Sequence, residues 1–209
     1  MYTLYHIPGS CSLAVKAALT LIGTDYSTRR LDLAKGEHLT EAYKRINPLN
    51  RVPALAMNQQ EDADVLTEGS AILLYLASRF PEAELMPEPG TLAYANALKW
   101  LQLLNATIHP HWGRVFAPER YGNEVASIRS AAEAELHKLY SLIEVQLAKQ
   151  PYIAGQQLTL ADLYLMVTVH WEQALQTPFS DGYPRLAAYR KRMYENPVIG
   201  ELYRAEFSA

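Results

Sequence analysis

Apolar and polar positions change period twice along this chain. A short apolar run from Tyr2 to His6 predicts a strand, and Pro8-Gly9 breaks it. Leu13, Ala14, Ala17, Ala18, Leu19 and Ile22 then recur at helical spacing, with Gly23 as the C-terminal stop. A second strand is predicted from Tyr26 to Leu33. A short helix or irregular connector follows over Glu37 to Ile46, closed by Asn47-Pro48. Pro53, within Arg51-Val52-Pro53-Ala54-Leu55, belongs at a strand start or edge because it cannot donate to a ladder. Asp64-Val65-Leu66-Thr67 predicts another strand, and a helix runs from there through Ile72, Leu73, Tyr75 and Leu76 to about Arg79. The order is β-α-β-α-β-β-α.

Beyond Phe80 the pattern changes. Pro81, Pro87, Pro89 and Gly90, with Glu82, Glu84 and Glu88, make a linker composition. The domains expected are residues 1–80, a linker over 81–90, and an all-helical domain over 91–209. Leu92, Leu98, Leu101, Leu104 and Ile108 place a long amphipathic helix over Thr91 to Trp112, which Pro110 is expected to break or kink near His109. Gly122-Asn123 opens another, with Val125, Ile128, Ala132, Leu136, Leu139, Ile143 and Leu147 on one face. Thr159 and Asp162 have the spacing of a capping box, with Leu158 and Leu163 as a staple, and the helix they start reaches about Ala174. Pro184 starts a further helix that ends at Asn196-Pro197, and a short tail helix follows.

Composition narrows the class. The chain has 209 residues, 49% of them hydrophobic and 20% charged, as in ordinary globular proteins. A net charge of −3 argues against a nucleic-acid surface. Arg190-Lys191-Arg192, near a helix end, reads as a solvated face. No apolar run is long enough for a membrane span, and Met1-Tyr2-Thr3 opens no signal-peptide pattern. The single cysteine excludes an internal disulfide and makes the cytoplasm the expected compartment. His109 and His111, two apart, point to different helix faces, so no metal site is expected. No glycine-rich nucleotide loop is present. Trp100, Trp112 and Trp171 lie on apolar helical faces and read as core or cleft wall.

Two stretches carry chemistry. Ser10, Cys11 and Ser12 sit where a strand hands over to a helix N-terminus, among unpaired N–H groups and the positive dipole end. There a thiol is expected to have a lowered pKa and to be nucleophilic. The competing reading is an ordinary serine N-cap with Cys11 as a small buried hydrophobe. Thr67-Glu68-Gly69-Ser70-Ala71-Ile72 opens a second helix. Glu68 could bind an amine while the helix N–H groups bind a carboxylate, which suits the ends of an amino acid. The competing reading is an acidic cap.

Four motifs, in this order and spacing, resemble the cytosolic glutathione S-transferases over nearly the whole chain. They are Tyr5-His6-Ile7-Pro8-Gly9-Ser10-Cys11-Ser12-Leu13-Ala14, Val52-Pro53-Ala54-Leu55, Leu66-Thr67-Glu68-Gly69-Ser70-Ala71-Ile72 and Gly155-Gln156-Gln157-Leu158-Thr159-Leu160-Ala161-Asp162. The first and third look most like the bacterial beta class. The resemblance implies an α/β plus all-α architecture, a thioredoxin-like domain followed by a helical bundle. It implies glutathione as co-substrate, a hydrophobic electrophile as its partner, no metal, and a homodimer in which the thioredoxin-like domain of one subunit meets the helical domain of the other.

The same resemblance implies roles. The backbone of Val52, before Pro53, would pair with the cysteinyl part of glutathione. Glu68 would hold the γ-glutamyl amine, and the backbone at Gly69-Ser70 its carboxylate. Lys35 and Arg51 would meet the glycyl carboxylate. Cys11 and His109 would face the sulfur, with Ser10 adding a hydroxyl. Tyr5 stands on the strand where some classes keep a catalytic tyrosine and is a candidate catalytic residue, the competing reading in a beta-like chain being a structural one. The electrophile would lie near Gln102, His109, Trp112 and Phe116. This chain departs from the pattern in three places. Gly69 stands where many transferases have serine, Pro110 where the beta class often has lysine, and Ser10 where alanine is common.

The implied chemistry is attack of the glutathione thiolate on a soft electrophilic carbon. A thiol of pKa ~8.5 is mostly protonated at neutral pH, and each unit of lowering needs ~1.4 kcal/mol. A helix dipole, a hydroxyl and an N–H could supply one or two such units. Two alternatives remain at this point: a thiol–disulfide or peroxide cycle on Cys11, and a transferase-like fold kept as a binding or scaffold module.

Overall fold

The computed structural model describes residues 1–60, 64–179 and 182–207. The first unit comprises Met1–Leu85 together with Pro197–Ala209, and the second comprises Met86–Asn196.

The first unit holds a four-stranded sheet of β1 (Tyr2–His6), β2 (Tyr26–Arg30), β3 (Ala54–Ala56) and β4 (Val65–Thr67), in the order β2-β1-β3-β4. β1 is parallel to β2 and antiparallel to β3, and β3 is antiparallel to β4. The parallel crossover is α1 (Ser12–Ile22), which Gly23 ends with a φ of 71°, a left-handed turn that suits glycine. β2 stops at Arg30, short of the expected Leu33. Leu31 N–H makes the last bond to His6 at 2.8 Å, and the Asp32 N–H turns to the Glu37 carboxylate at 2.7 Å. A 3₁₀ turn, Glu37–Leu39, leads to α2 (Glu41–Ile46), capped by the Thr40 hydroxyl. α3 (Gly69–Arg79) packs on α1. Leu4, Leu13, Leu19, Leu55, Ile72 and Leu73 form the core of this unit. α9 (Gly200–Phe207) returns to it from the end of the chain.

The second unit is helical, as the pattern predicts. α4 (Leu92–Gln102) starts on a Thr91 cap. Pro110 does not break the helix. A π-helical turn, Leu103–Ile108, carries the chain directly into α5 (His109–Phe116), with Pro110 in the first turn of α5. A proline ring presses on the carbonyl four residues back and has no N–H to give. The wider π turn accommodates both. α6 (Val125–Leu147) buries Ala132, Leu136, Ile143 and Leu147 as expected, but Val125 is exposed.

α7 (Leu160–His170) opens on the expected capping box, and its last stretch, Trp171–Ala174, tightens to a 3₁₀ turn. The buried Asp162 carboxylate accepts from Thr159 N–H, Thr159 Oγ1 and Ile153 N–H at 2.8, 2.9 and 2.8 Å. Burial pushes this carboxyl up to about 6, against those bonds. α8 (Pro184–Glu195) packs on α6 and α7. Among the described residues no helix is long and apolar enough to cross a membrane, and no cluster of His, Cys, Asp or Glu could hold a metal.

Candidate functional site

The loop from Ile7 to Ser12 is held from beneath. His6 is 2% exposed. Its Nδ1 lies 2.8 Å from Ser12 Oγ and its Nε2 3.0 Å from the Glu206 carboxylate of α9. The same carboxylate accepts from Gly9 N–H at 3.2 Å and from Lys16 Nζ at 2.6 Å. Gly9 has a φ of 70°, which suits a residue without Cβ. Burial alone would raise Glu206, but hydrogen bonds and charge from His6 and Lys16 outweigh it and bring the carboxyl down to about 2. Sequence reading missed this anchor. His6 reads as part of an apolar strand, and Glu206 lies 200 positions away.

Above the anchor, Ser10 Oγ lies 2.6 Å from Ser12 Oγ. Cys11 is the N-cap residue of α1, and its Sγ–H donates to the Val52 carbonyl at 3.4 Å. The expected lowering of its pKa does not occur. Burial pushes the thiol up to about 12, the Glu68 charge adds to this, and backbone N–H groups and Arg51 only partly oppose it. The helix dipole does not offset desolvation here. Cys11 therefore rests as a buried, protonated donor.

Val52-Pro53 is a cis peptide. Its approach is fixed because the Arg51 carbonyl accepts from Tyr43 Oη and Asn47 Nδ2, both at 2.7 Å. The Arg51 side chain is exposed. Glu68 caps α3 with φ 66° and ψ 111°, backbone that a side chain rarely adopts, and it is exposed. Gly69 and Ser70 behind it are buried, and they open the first turn, whose N–H groups have no partner within the helix. Cys11, Arg51, Val52 and Glu68 thus converge in the first unit.

Two further expected residues are engaged by other side chains. Lys35 is exposed and paired with Asp32 at 3.2 Å. Tyr5 is on the opposite face of β1 from Leu4 and His6, because side chains alternate along a strand. Its ring packs on Tyr43 at 5.6 Å, with the Arg29 guanidinium 5.9 Å from its centroid.

In the second unit, Gln102 ends α4, His109 opens α5 and Phe116 ends it. Phe116 is 53% exposed, whereas Trp112 is wholly buried. Trp112 stacks on Phe116 at 5.7 Å and meets Tyr140, Trp171 and Phe179 edge-on. The expectation that Trp112 lines an electrophile site is corrected: it backs the exposed Phe116 ring. His109 Nδ1 lies 2.7 Å from Tyr164 Oη, which donates to Asn105 Oδ1 at 3.1 Å. The sequence reading did not find these partners. Asn105 stands four positions before His109, a spacing that could have suggested it.

Comparison with known proteins meets this geometry. Residues 1–78 match the glutathione S-transferase N-terminal domain, and residues 103–197 match the C-terminal domain. Glutathione S-transferase GstA of Escherichia coli O157:H7 is 30% identical over 97% of this chain and 98% of its own. The chain belongs to the glutathione S-transferase family. Among solved structures, a glutathione transferase homologue from Sulfitobacter with bound glutathione superposes on this transferase with a TM-score of 0.87, at 28% identity over 98% of each chain. The bacterial beta class transferase of Sphingomonas chungbukensis gives 0.83 at 30% identity, again over 98% of each chain. The thioredoxin-like first unit and the helical second unit are those of this family.

Proposed function

We propose that this transferase joins the thiolate of reduced glutathione to small hydrophobic electrophiles, working in the cytoplasm as a homodimer. Glu68 holds the γ-glutamyl amine, the N–H groups at Gly69-Ser70 hold the carboxylate, and the Val52 backbone pairs with the cysteinyl part. Arg51 and Lys35 meet the glycyl carboxylate. Ser10 and His109 act near the sulfur, and Gln102 and Phe116 meet the electrophile.

The observation that carries this reading is Glu68. It stands exposed in backbone costly for any side chain, directly before the buried first turn of α3. Such strain persists where a function holds it, and an exposed acid beside unpaired helix N–H groups matches the two ends of an amino acid. Cys11 favours conjugation over the thiol–disulfide alternative. A redox nucleophile needs an accessible thiolate, and this thiol is buried and raised to about 12.

The test is calorimetric titration with reduced glutathione, repeated on Glu68→Ala. Saturable binding is expected, weakened in the variant by about tenfold to a hundredfold, the worth of one charged hydrogen bond. Absence of binding by the wild-type protein would favour a scaffold role instead.

A further inference from the structure

A line of hydrogen bonds joins Glu206 of α9 to Ser10, and each link has a direction. The Glu206 carboxyl is brought down to about 2 by His6 and Lys16, so it is ionised and only accepts. His6 Nε2, 3.0 Å from both of its oxygens, must therefore carry a proton. Lys16 already matches that negative charge at 2.6 Å, and Arg30, the register partner of His6 on β2, is a further cation. A second proton on an imidazole 2% exposed would leave a buried positive charge without a counter-ion. The ring is thus neutral, with its lone pair on Nδ1.

Nδ1 faces Ser12 Oγ at 2.8 Å. Two lone pairs do not meet at that distance, so the Ser12 proton goes to Nδ1. The other acceptor within reach, Ile7 O, is 3.3 Å away and already takes the Ser10 N–H at 3.2 Å. With its one proton spent, the Ser12 oxygen only accepts. It takes the Ile7 N–H at 3.3 Å and the Ser10 hydroxyl at 2.6 Å. Ser12 is wholly buried, which keeps water out of this exchange. The Ser10 proton therefore points inward. The Ser10 oxygen accepts the Ser12 N–H at 3.3 Å and keeps a second lone pair.

We propose that Glu206, His6 and Ser12 are positioning residues that turn the Ser10 proton inward, so that Ser10 meets the glutathione sulfur as an acceptor for S–H and not as a donor to the thiolate. This rests on the reading that Ser10 meets that sulfur. The sign of the hydroxyl's effect follows from its direction. A donor favours the thiolate, whereas a lone pair opposes its charge and favours the thiol. This reverses the contribution expected of the hydroxyl and leaves thiolate stabilisation to the N–H groups and dipole at the start of α1.

The test is a pH titration of bound glutathione, read by the ultraviolet absorbance of its thiolate. Ser10→Ala should lower the pKa of the bound thiol by about half a unit, the worth of one weak neutral hydrogen bond. Ser12→Ala releases the Ser10 proton to turn to the sulfur and should lower it by about one unit or more, as a charge-assisted bond does. Ser10→Ala combined with Ser12→Ala should return to the value of Ser10→Ala alone. A merely structural role for Ser12 would give one pKa in Ser12→Ala and in the double variant, and would overturn the proposal. Long-range ¹H–¹⁵N NMR of the free wild-type protein at about pH 8, well above the ordinary histidine pKa, gives a check that needs no variant. His6, assigned by correlation to its backbone, should be protonated on Nε2 and bare on Nδ1, and a proton on Nδ1 would overturn the direction of the chain. Failure of the two readings differs. If the protein does not bind glutathione, the transferase reading falls while Nε2–H at His6 still upholds the inward Ser10 proton. If it binds and Ser10→Ala leaves the thiol pKa unmoved or raises it, this proposal alone falls.

Discussion

The thiol of Cys11 donates to the carbonyl of Val52, 41 positions along the chain and 3.4 Å away. This bond ties the first turn of α1 to the residue before the cis-proline. A thiol that donates is protonated, in keeping with a pKa raised to about 12. Alkylation needs the thiolate, so Cys11 should react with iodoacetamide at pH 7.5 roughly a thousandfold more slowly than a free cysteine of pKa ~8.5. Intact-mass kinetics on native and urea-unfolded protein measure this directly. Native labelling as fast as unfolded labelling would return Cys11 to the nucleophile reading.

Glu68 pairs binding with strain. A glycine adopts φ 66° without steric cost. Glu68→Gly should therefore raise stability by about 1 kcal/mol, the lower end for a residue held in sparse backbone space, while glutathione affinity falls. Thermal melting and calorimetry on the same preparation separate the two effects. A variant that loses stability as well as binding would show that Glu68 carries a structural contact of its own.

How far these features were legible in the sequence depends on how local their causes are. The starts of α1 and α3, the place of Pro53 immediately before β3 and the Thr159–Asp162 box follow from residues within a turn of one another. The halt of β2 at Arg30 depends on the Asp32–Glu37 bond, which no period announces. The Glu206 anchor joins the two ends of the chain. Helical periodicity marks Trp112 and Phe116 alike as apolar, yet one is wholly buried and the other half exposed. Position on an apolar face does not distinguish core from site. Of the two outcomes expected at Pro110, the break is absent for a different reason: a proline rule written for α-helices does not cover a helix that widens to a π turn.

The Glu206 anchor should make stability fall in acid. Its folded pKa, about 2, lies below its ordinary value of 4.5. Its contribution is therefore full above pH 4.5 and is lost as pH falls toward 2. The difference corresponds to about 3 kcal/mol. Urea unfolding of wild type and Glu206→Gln should differ most at pH 7, and the gap should close substantially by pH 3. A gap independent of pH would mean that Glu206 acts by packing and not by its charge.

Trp112 and Phe116 give the sharpest contrast within the helical unit. Trp112 fills the space between Tyr140, Trp171 and Phe179, and its indole N–H donates to Tyr140 Oη at 3.4 Å. Trp112→Ala should cost about 3–5 kcal/mol, as large aromatic deletions in cores do. Phe116, 53% exposed, should be nearly silent in stability when changed to alanine. If its ring meets the electrophile, Phe116→Ala should raise KM for an aromatic electrophile several-fold, within the ~1–3 kcal/mol of one lost apolar contact, and leave KM for glutathione alone. Steady-state kinetics with each substrate varied in turn make the separation. Equal changes in both constants, or none, would remove Phe116 from the electrophile side and leave Trp112 as the support of a purely structural cluster.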